Sequence, residues 1–241
     1  MKAFILAGGF GIRLREVLHG RPKVLAPVQG RPFLEHVIRQ LKQQGIDQMV
    51  LGVGYLASYI RDAFGDGAHL GVTIQYAEEP RPLGTAGAIK NGAHLLKDDF
   101  LVLNGDTYFD LDVQALAAFH RDRAADVTIA VTPTYHGRGG LIELDRHGRV
   151  VRFEEESDGH QRQGKGKRKR KAYSNAGVYL FNPKMLKLIR PHERSSLERD
   201  LFPVLLDQGA SVYGFVASGE YIDIGTPESY EAAIELLKGR P

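Results

Sequence analysis

Four short apolar runs divide the first half of the chain: KAFIL (2–6), MVLGVG (49–54), VTIQYA (72–77) and FLVLNGD (100–106). Between them the apolar residues recur at helical spacing. From Pro32 onward, Phe33, Val37, Ile38 and Leu41 share one helical face, and Gly45 supplies a stop. LASYIRDAF (56–64) reads as a short helix ended by Gly65. Thr85 reads as the N-cap of a helix running to Leu96, and VQALAAFHRDR (113–123) as a further helix. Parallel strands need long crossovers, usually helical, so this alternation constrains the chain to a mostly parallel sheet flanked by helices.

The second half changes pattern. DVTIAVTPT, GLIELD, GRVVRFEEE and NAGVYLF are strand-like with little helix between them. Helical signals return at PKMLKLI and SSLERDLFPVLLDQG, and the extended stretch SVYGFVASGEYIDIG leads into the helix PESYEAAIELLKG. The expectation is one α/β core with a smaller, more antiparallel lobe folded onto it. At 241 residues, 43% of them hydrophobic, the chain can bury a substantial core. No apolar run approaches the ~20 residues of a membrane span. Gly8 and Gly9 interrupt the N-terminal apolar stretch, which argues against a secretory leader, so a cytoplasmic protein is expected. The absence of cysteine excludes disulfides and thiolate metal sites.

The net charge of +3 conceals an asymmetry. Residues 157–172 hold seven Lys/Arg and one Asp, a net +6, which leaves −3 for everything else. The basic run is the one low-complexity segment, and its composition suits a solvated loop.

After the first strand come three glycines in four residues, Gly8, Gly9 and Gly11, then Arg13 and, further on, Pro22-Lys23. A dinucleotide fingerprint starting at Gly9 fails, because its third glycine is Leu14, and no Gly-Lys-Ser/Thr closes a Walker loop. The connection from Gly8 to Arg31 is long against the ~2–6 residues usual between strand and helix. Long loops at strand C-termini of α/β sheets commonly cover ligands. Backbone N–H groups of Gly8, Gly9 and Gly11 can cradle phosphate, with Arg13 offering a bidentate fork and Lys23 a point charge. The bland alternative is a glycine turn carrying surface charges.

The motif L-A-G-G-x-G-x-R-L (Leu6 to Leu14), followed by P-K-x-x-x-P-V (Pro22, Lys23, Pro27, Val28), resembles the signature of the sugar-1-phosphate nucleotidyltransferases. These are nucleotide-diphosphate-sugar pyrophosphorylases with a Rossmann-like GT-A type fold. Ile12 stands where the family usually has Thr. The resemblance runs from Met1 to about Leu237 and implies a single nucleotidyltransferase domain over 1–241. Residues 1–125 would form its nucleotide-binding part and 126–241 its sugar-binding part, the basic segment being a loop.

It also implies roles. Leu6, Ala7, Gly8, Gly9, Gly11 and Arg13 would bind the nucleotide. LNGDTYF and YIDIGTPESY match the family's G-D and D-[IV]-G-T-P motifs, whose aspartates, here Asp106 and Asp223, hold the catalytic Mg²⁺. Either Asp taken alone reads equally as a cap or turn residue. EEPRPLGTAGAI (78–89) resembles the base-binding segment. Gly84 and Thr85 would leave room for a ring at a helix N-terminus, and Glu79 would accept from a guanine edge. NAGVYLF resembles the sugar segment, so Asn175 and Gly177 would meet the sugar, as would Glu155 of FEEES, which sits where the family has F-x-E-K, and Asn104 of LNGDTYF. The lysine that usually follows that Glu is Glu156 here. A lysine of 165–171 is one candidate to replace it, a solvated loop the other.

The reaction implied is transfer of a nucleotidyl group from an NTP to a sugar 1-phosphate, releasing pyrophosphate, with Arg13, Lys23, Asp106 and Asp223 as the catalytic set. SSLERDLFP (195–203) and GEYIDIGTPESY look most like bacterial guanylyltransferases that use GTP and D-glycero-α-D-manno-heptose 1-phosphate, in the service of cell-surface polysaccharide. Mannose 1-phosphate guanylyltransferases come next, and uridylyl, thymidylyl and cytidylyl relatives stay open, as does a homo-oligomer. The competing class is a non-catalytic binder of nucleotides or polyanions. Its basic run has no interleaved aromatics for base stacking, which makes nucleic acid a poor partner.

Overall fold

The computed structural model describes residues 1–9, 14, 18, 20–54, 56–133, 140–154 and 172–240. Gly11, Arg13, Glu155, Glu156 and the basic run up to Lys171 lie outside them, so the expectations placed on those residues have no structural counterpart below.

In chain order the first half holds β1 (Lys2–Leu6), β2 (Pro27–Val28), β3 (Arg31–Pro32), α1 (Phe33–Gln43), β4 (Gln48–Val53), α2 (Ala57–Phe64), β5 (Thr73–Glu78), α3 (Gly84–Asn91), β6 (Phe100–Asn104), β7 (Thr107–Phe109) and α4 (Val113–Asp122). The second half adds β8 (Val127–Thr132), β9 (Leu141–Leu144), β10 (Val150–Glu154), β11 (Ala172–Phe181), α5 (Phe202–Asp207), β12 (Val212–Val216), β13 (Tyr221–Asp223) and α6 (Pro227–Leu236).

Strands β6, β1, β4 and β5 lie side by side and all parallel. The chain moves from β1 to β4 and β5 on one side, then returns to lay β6 on the other. Open α/β sheets bind ligands at such a switch point, outside the strand C-termini. The antiparallel strands of the second half form no separate sheet. Strand β11 enters antiparallel against β6, with β8 on its other side, and extends the same sheet through β9 to β10, while β12 runs parallel to β8. Two small antiparallel pairs, β7 with β13 and β2 with β3, stand apart from it.

The sheet separates two cores by the period of two along each strand. In β1, Ala3 and Ile5 face one core with Leu34, Ile38 and Leu41 of α1, whereas Phe4 faces the other with Ile89, Phe100 and Phe181. Caps follow local chemistry. Asp112 accepts from the Ala115 N–H at the start of α4, and Thr226 with Ser229 forms a reciprocal capping box on α6.

The helix expected from Thr85 to Leu96 is shorter and differently capped. It ends at Asn91, Gly92 packs against the Phe4 ring, and a 3-10 turn follows over Ala93–Leu95. PKMLKLI forms a 3-10 helix, Pro183–Leu188. SSLERDLFP opens with one π-turn, Leu197–Leu201, before α5. The Ser196 hydroxyl accepts from both Glu198 and Arg199 N–H groups, and Asp200 accepts from Ser196 N–H, which holds that wide turn open.

Candidate active site

Parallel strands deliver their C-termini to one edge of the sheet. A cavity of about 670 Å³ lies there, lined by Leu6, Gly8 and Gly9 at and beyond the end of β1, Gly54 after β4, Glu79 to Pro82 after β5, and Asn104 and Asp106 at and beyond the end of β6. Lys23, Gly84, Thr85 and Arg194 complete its wall with Val24 and Ala88. Most of the residues expected to bind nucleotide are thus gathered in one place by strand direction alone.

The chain meets the cavity again at Lys23. A tight turn over Lys23–Leu25 is closed by Leu25 N–H to Pro22 C=O at 2.9 Å and Ala26 N–H to Lys23 C=O at 3.0 Å. The turn aims Lys23 inward, and its ammonium forms an ion pair with the Asp106 carboxylate. Both side chains are largely shielded, so the pair is held where Coulomb attraction is poorly screened.

Asp223 does not line the cavity, but backbone pairing brings it beside Asp106. It sits opposite Thr107 in the β7–β13 ribbon, and Ile224 N–H donates to Asp106 C=O at 3.0 Å. One Asp223 carboxylate oxygen accepts from Gly225 N–H at 2.8 Å. The two acids are far apart in sequence, Asp106 in the turn between β6 and β7 and Asp223 at the end of β13. Their oxygens are the hard donors that Mg²⁺ prefers, and Asp106 already attracts a cation in the form of Lys23. The donor type suits a magnesium ion, while among the described residues no group of three or more such side chains stands together.

Glu79 sits beside Gly8, where a Cβ would come within 3.0 Å of its Oε1. Its Oε2 accepts from Leu83 N–H at 2.7 Å. Burial pushes its carboxyl above the usual range, and the Leu83 hydrogen bond offsets only part of that rise.

The helix start at Gly84 carries a different construction from the one expected. Ser195 C=O accepts from Ala86 N–H at 2.9 Å and Gly87 N–H at 3.1 Å, and Ser195 N–H donates to Leu83 C=O at 2.7 Å. The free N–H groups of α3 are thus satisfied by a distant segment and not by a Thr85 cap. Gly84 has φ of +74°, and a Cβ there would meet Ser195 O at 2.6 Å. Part of the room that these glycines make is therefore filled by the chain's own 193–195 stretch. That stretch is fastened again where Arg81 donates to the His192 C=O at 2.8 Å, His192 itself turning at φ of 61°.

Asn175 and Gly177 lie one layer behind the cavity, at an irregularity in β11 where the register with β8 slips between Asn175 and Tyr179. The Asn175 side chain is buried and doubly engaged: Oδ1 accepts from Gly177 N–H at 3.0 Å and Nδ2 donates to the Tyr179 hydroxyl at 2.8 Å. Gly177, at φ of +68°, packs on Asn104, which does line the cavity. Ala7 is buried and extends the ladder by donating to Gly52 C=O at 2.8 Å. Sequence reasoning missed Arg81, Arg194 and Glu198. Arg194 makes no hydrogen bond or ion pair among the described residues, so its charge is available to the cavity.

Known proteins carry the same construction. A sequence family described as Nucleotidyl transferase matches residues 2–239. The chain belongs to the nucleotidyl transferase family. It is 35% identical over 239 residues to the D-glycero-alpha-D-manno-heptose 1-phosphate guanylyltransferase of Aneurinibacillus thermoaerophilus, covering 99% of both chains. It is also 35% identical over 241 residues to the mannose-1-phosphate guanylyltransferase of Mycobacterium tuberculosis, where 98% of this chain spans only 65% of the relative. The structure of HddC from Yersinia pseudotuberculosis complexed with GMP-PN superposes with a TM-score of 0.81 at 30% identity, over 98% of this chain and 99% of that one. The mixed, mostly parallel sheet flanked by helices is thus the nucleotidyl transferase fold expected from the glycine loop. No helix among the described residues is long and apolar enough to cross a membrane.

Proposed function

We propose that this nucleotidyl transferase moves a guanylyl group from GTP to a sugar 1-phosphate, with D-glycero-α-D-manno-heptose 1-phosphate as the acceptor. The observation that carries this reading is the cavity itself. It gathers Gly8, Gly9, Glu79 and the Lys23–Asp106 pair around one space, with Glu79 directly beside Gly8. Both curated relatives described above are guanylyltransferases, and one solved relative holds GMP-PN. Glu79 offers an acceptor that suits the N1–H and N2–H₂ edge of guanine. Consumption of cellular GTP would place the enzyme in the cytoplasm and its product in polysaccharide assembly.

A phosphate oxygen of the sugar 1-phosphate forms a bond to the α-phosphorus of GTP as the bond to the bridging oxygen of the β-phosphate breaks, and pyrophosphate leaves. The nucleophile is already an anion, so no general base is required. The barrier lies in bringing two polyanions together, and positioning with electrostatics dominates. Backbone N–H groups at Gly8 and Gly9 would receive phosphate oxygens. Lys23 would move from Asp106 onto the α-phosphate, while Arg13 would hold the departing pyrophosphate. Asp106 and Asp223 would hold Mg²⁺, which neutralises phosphate charge when bound. Asn104, backed by Gly177 and Asn175, would face the sugar, with Glu155 as a further sugar contact.

The test is pyrophosphate release with Mg²⁺ across GTP, ATP, CTP, UTP and dTTP, each against heptose, mannose, glucose and N-acetylhexosamine 1-phosphates. A dominant GTP–heptose pair supports the proposal. A dominant GTP–mannose pair keeps the base and replaces the sugar. Turnover with another base overturns the role given to Glu79, and no turnover with any pair overturns the reaction.

A further inference from the structure

One carboxylate joins the two halves of the cavity wall. Glu198 stands in the π-turn, a geometry that recurs at functional sites. Its Oε2 accepts from the Thr85 hydroxyl at 3.1 Å and the Ser196 hydroxyl at 2.7 Å. Its Oε1 accepts from the Tyr179 hydroxyl at 3.2 Å. Each arm ends at a cavity residue. On one side Thr85, which also accepts from Leu197 N–H at 2.7 Å, lines the wall beside Gly84. On the other, the Tyr179 hydroxyl accepts from Asn175 Nδ2, Asn175 Oδ1 accepts from Gly177 N–H, and Gly177 packs on Asn104.

Donors and acceptors are consistent along the whole path. Tyr179 is fully buried, and its phenol is pushed well above the ordinary range, by burial first and then by the Glu198 charge. It therefore stays a donor to Glu198 at any working pH. With Tyr179 donating, its oxygen is left to accept from Asn175. That fixes which end of the Asn175 amide faces Gly177.

We infer that Glu198 is a positioning residue for both substrates, fixing Thr85 on the nucleotide side and Asn104, through Tyr179, Asn175 and Gly177, on the sugar side. The inference rests on the nucleotide and sugar assignments proposed above. It differs from a purely structural role in one respect: it predicts which substrate each substitution weakens. Tyr179→Phe cuts only the sugar arm. Glu198→Gln keeps the shape but removes the charge from both arms.

Steady-state kinetics of the full chain, with the NTP and sugar phosphate that the wild type turns over fastest, provide the test. Tyr179→Phe should raise KM for the sugar phosphate about tenfold and leave KM for the NTP within about twofold. Glu198→Gln should raise both. In the double variant the sugar-side loss should not exceed that of the worse single variant, because the two act in one relay. Equal changes in both KM values for Tyr179→Phe, a fall in kcat alone, or additive sugar-side losses would each overturn the inference. If Glu198→Gln does not fold, Tyr179→Phe still decides. A wild type that turns over no pair overturns the underlying reading and this inference with it, an outcome distinct from an active wild type whose variants show no split.

Discussion

A Cβ built on Gly177 falls 2.5 Å from Nδ2 of Asn104. The two residues belong to β11 and β6, and their contact places the Asn104 side chain at the cavity floor. Gly177→Ala must therefore do two things. It forces an L-residue into φ of +68°, which costs about 1–2 kcal/mol. It also pushes the Asn104 amide aside. The expected outcome is a modest fall in Tm with a several-fold rise in KM for the sugar phosphate and little change in KM for the NTP. Thermal melts beside two-substrate kinetics check it, and an unchanged sugar KM would remove Asn104 from the sugar site.

The Lys23–Asp106 ion pair gives the second prediction. Asp106→Ala should lower kcat by about 10²–10³-fold, the scale for losing one preorganised charge contact. Lys23→Met should cost a similar factor, because it removes the cation needed at the α-phosphate. Each variant leaves the other, largely shielded charge unpaired at the cavity, so Tm should fall modestly in both. Titrating Mg²⁺ separates the two. Asp106→Ala should need more metal for half-maximal rate, whereas Lys23→Met should not. Near-normal turnover in Asp106→Ala would refute the metal assignment.

Sequence reached this far because these motifs are local. Lys23 follows Pro22 in a turn that its own neighbours close, and Asp106 follows the apolar run of β6, whose direction carries it to the cavity edge. The parallel half was legible for the same reason, since periodicity reports each strand and helix separately. The path of β11 was not. That NAGVYLF is a strand is plain from its composition, but its place between β6 and β8 depends on partners elsewhere in the chain. The same limit hid Glu198 and Arg194. Thr85 and Glu198 meet across 113 residues, and the docking of Ser195 on Gly84 leaves no local pattern. Thr85 read as a cap because its hydroxyl precedes an apolar helix. The Ser195 carbonyl takes that role instead and frees the hydroxyl for Glu198.

Glu79 supplies a prediction in pH. Burial raises its carboxyl pKa in the folded protein, so the native state holds that proton more tightly than the unfolded chain does. The sign follows from linkage: stability attributable to Glu79 is highest below its unfolded pKa and is lost as pH rises through the folded one. Glu79→Gln should therefore leave Tm at neutral pH unchanged or higher, since the amide oxygen can still accept from Leu83 N–H. Function should move the other way. Loss of the anionic acceptor should raise KM for GTP about tenfold, and lowering pH through the raised pKa should do the same to the wild type but not to the variant. Calorimetry, with GTP KM measured from neutral pH downward into the acid range, checks both directions. A variant both less stable and equally tight for GTP would contradict them.

Arg194 completes the charge of the cavity wall without being part of its framework. Its neighbour Ser195 fastens the segment to α3 through backbone bonds that a side-chain change leaves intact, and the Arg194 side chain has no partner among the described residues. Arg194→Ala should consequently keep Tm while weakening capture of a polyanionic substrate. An exposed cation of this kind acts through a field that salt screens over ~10 Å at 0.1 M. KM for the NTP should rise about three- to tenfold at low ionic strength, kcat should hold, and the difference from wild type should shrink as salt is raised. Kinetics at about 20 and 300 mM NaCl, either side of that screening regime, make the comparison. A salt-independent rise in KM would mean that Arg194 makes a direct, shielded contact with the nucleotide. A fall in kcat with KM unchanged would mean that it acts on the transition state instead.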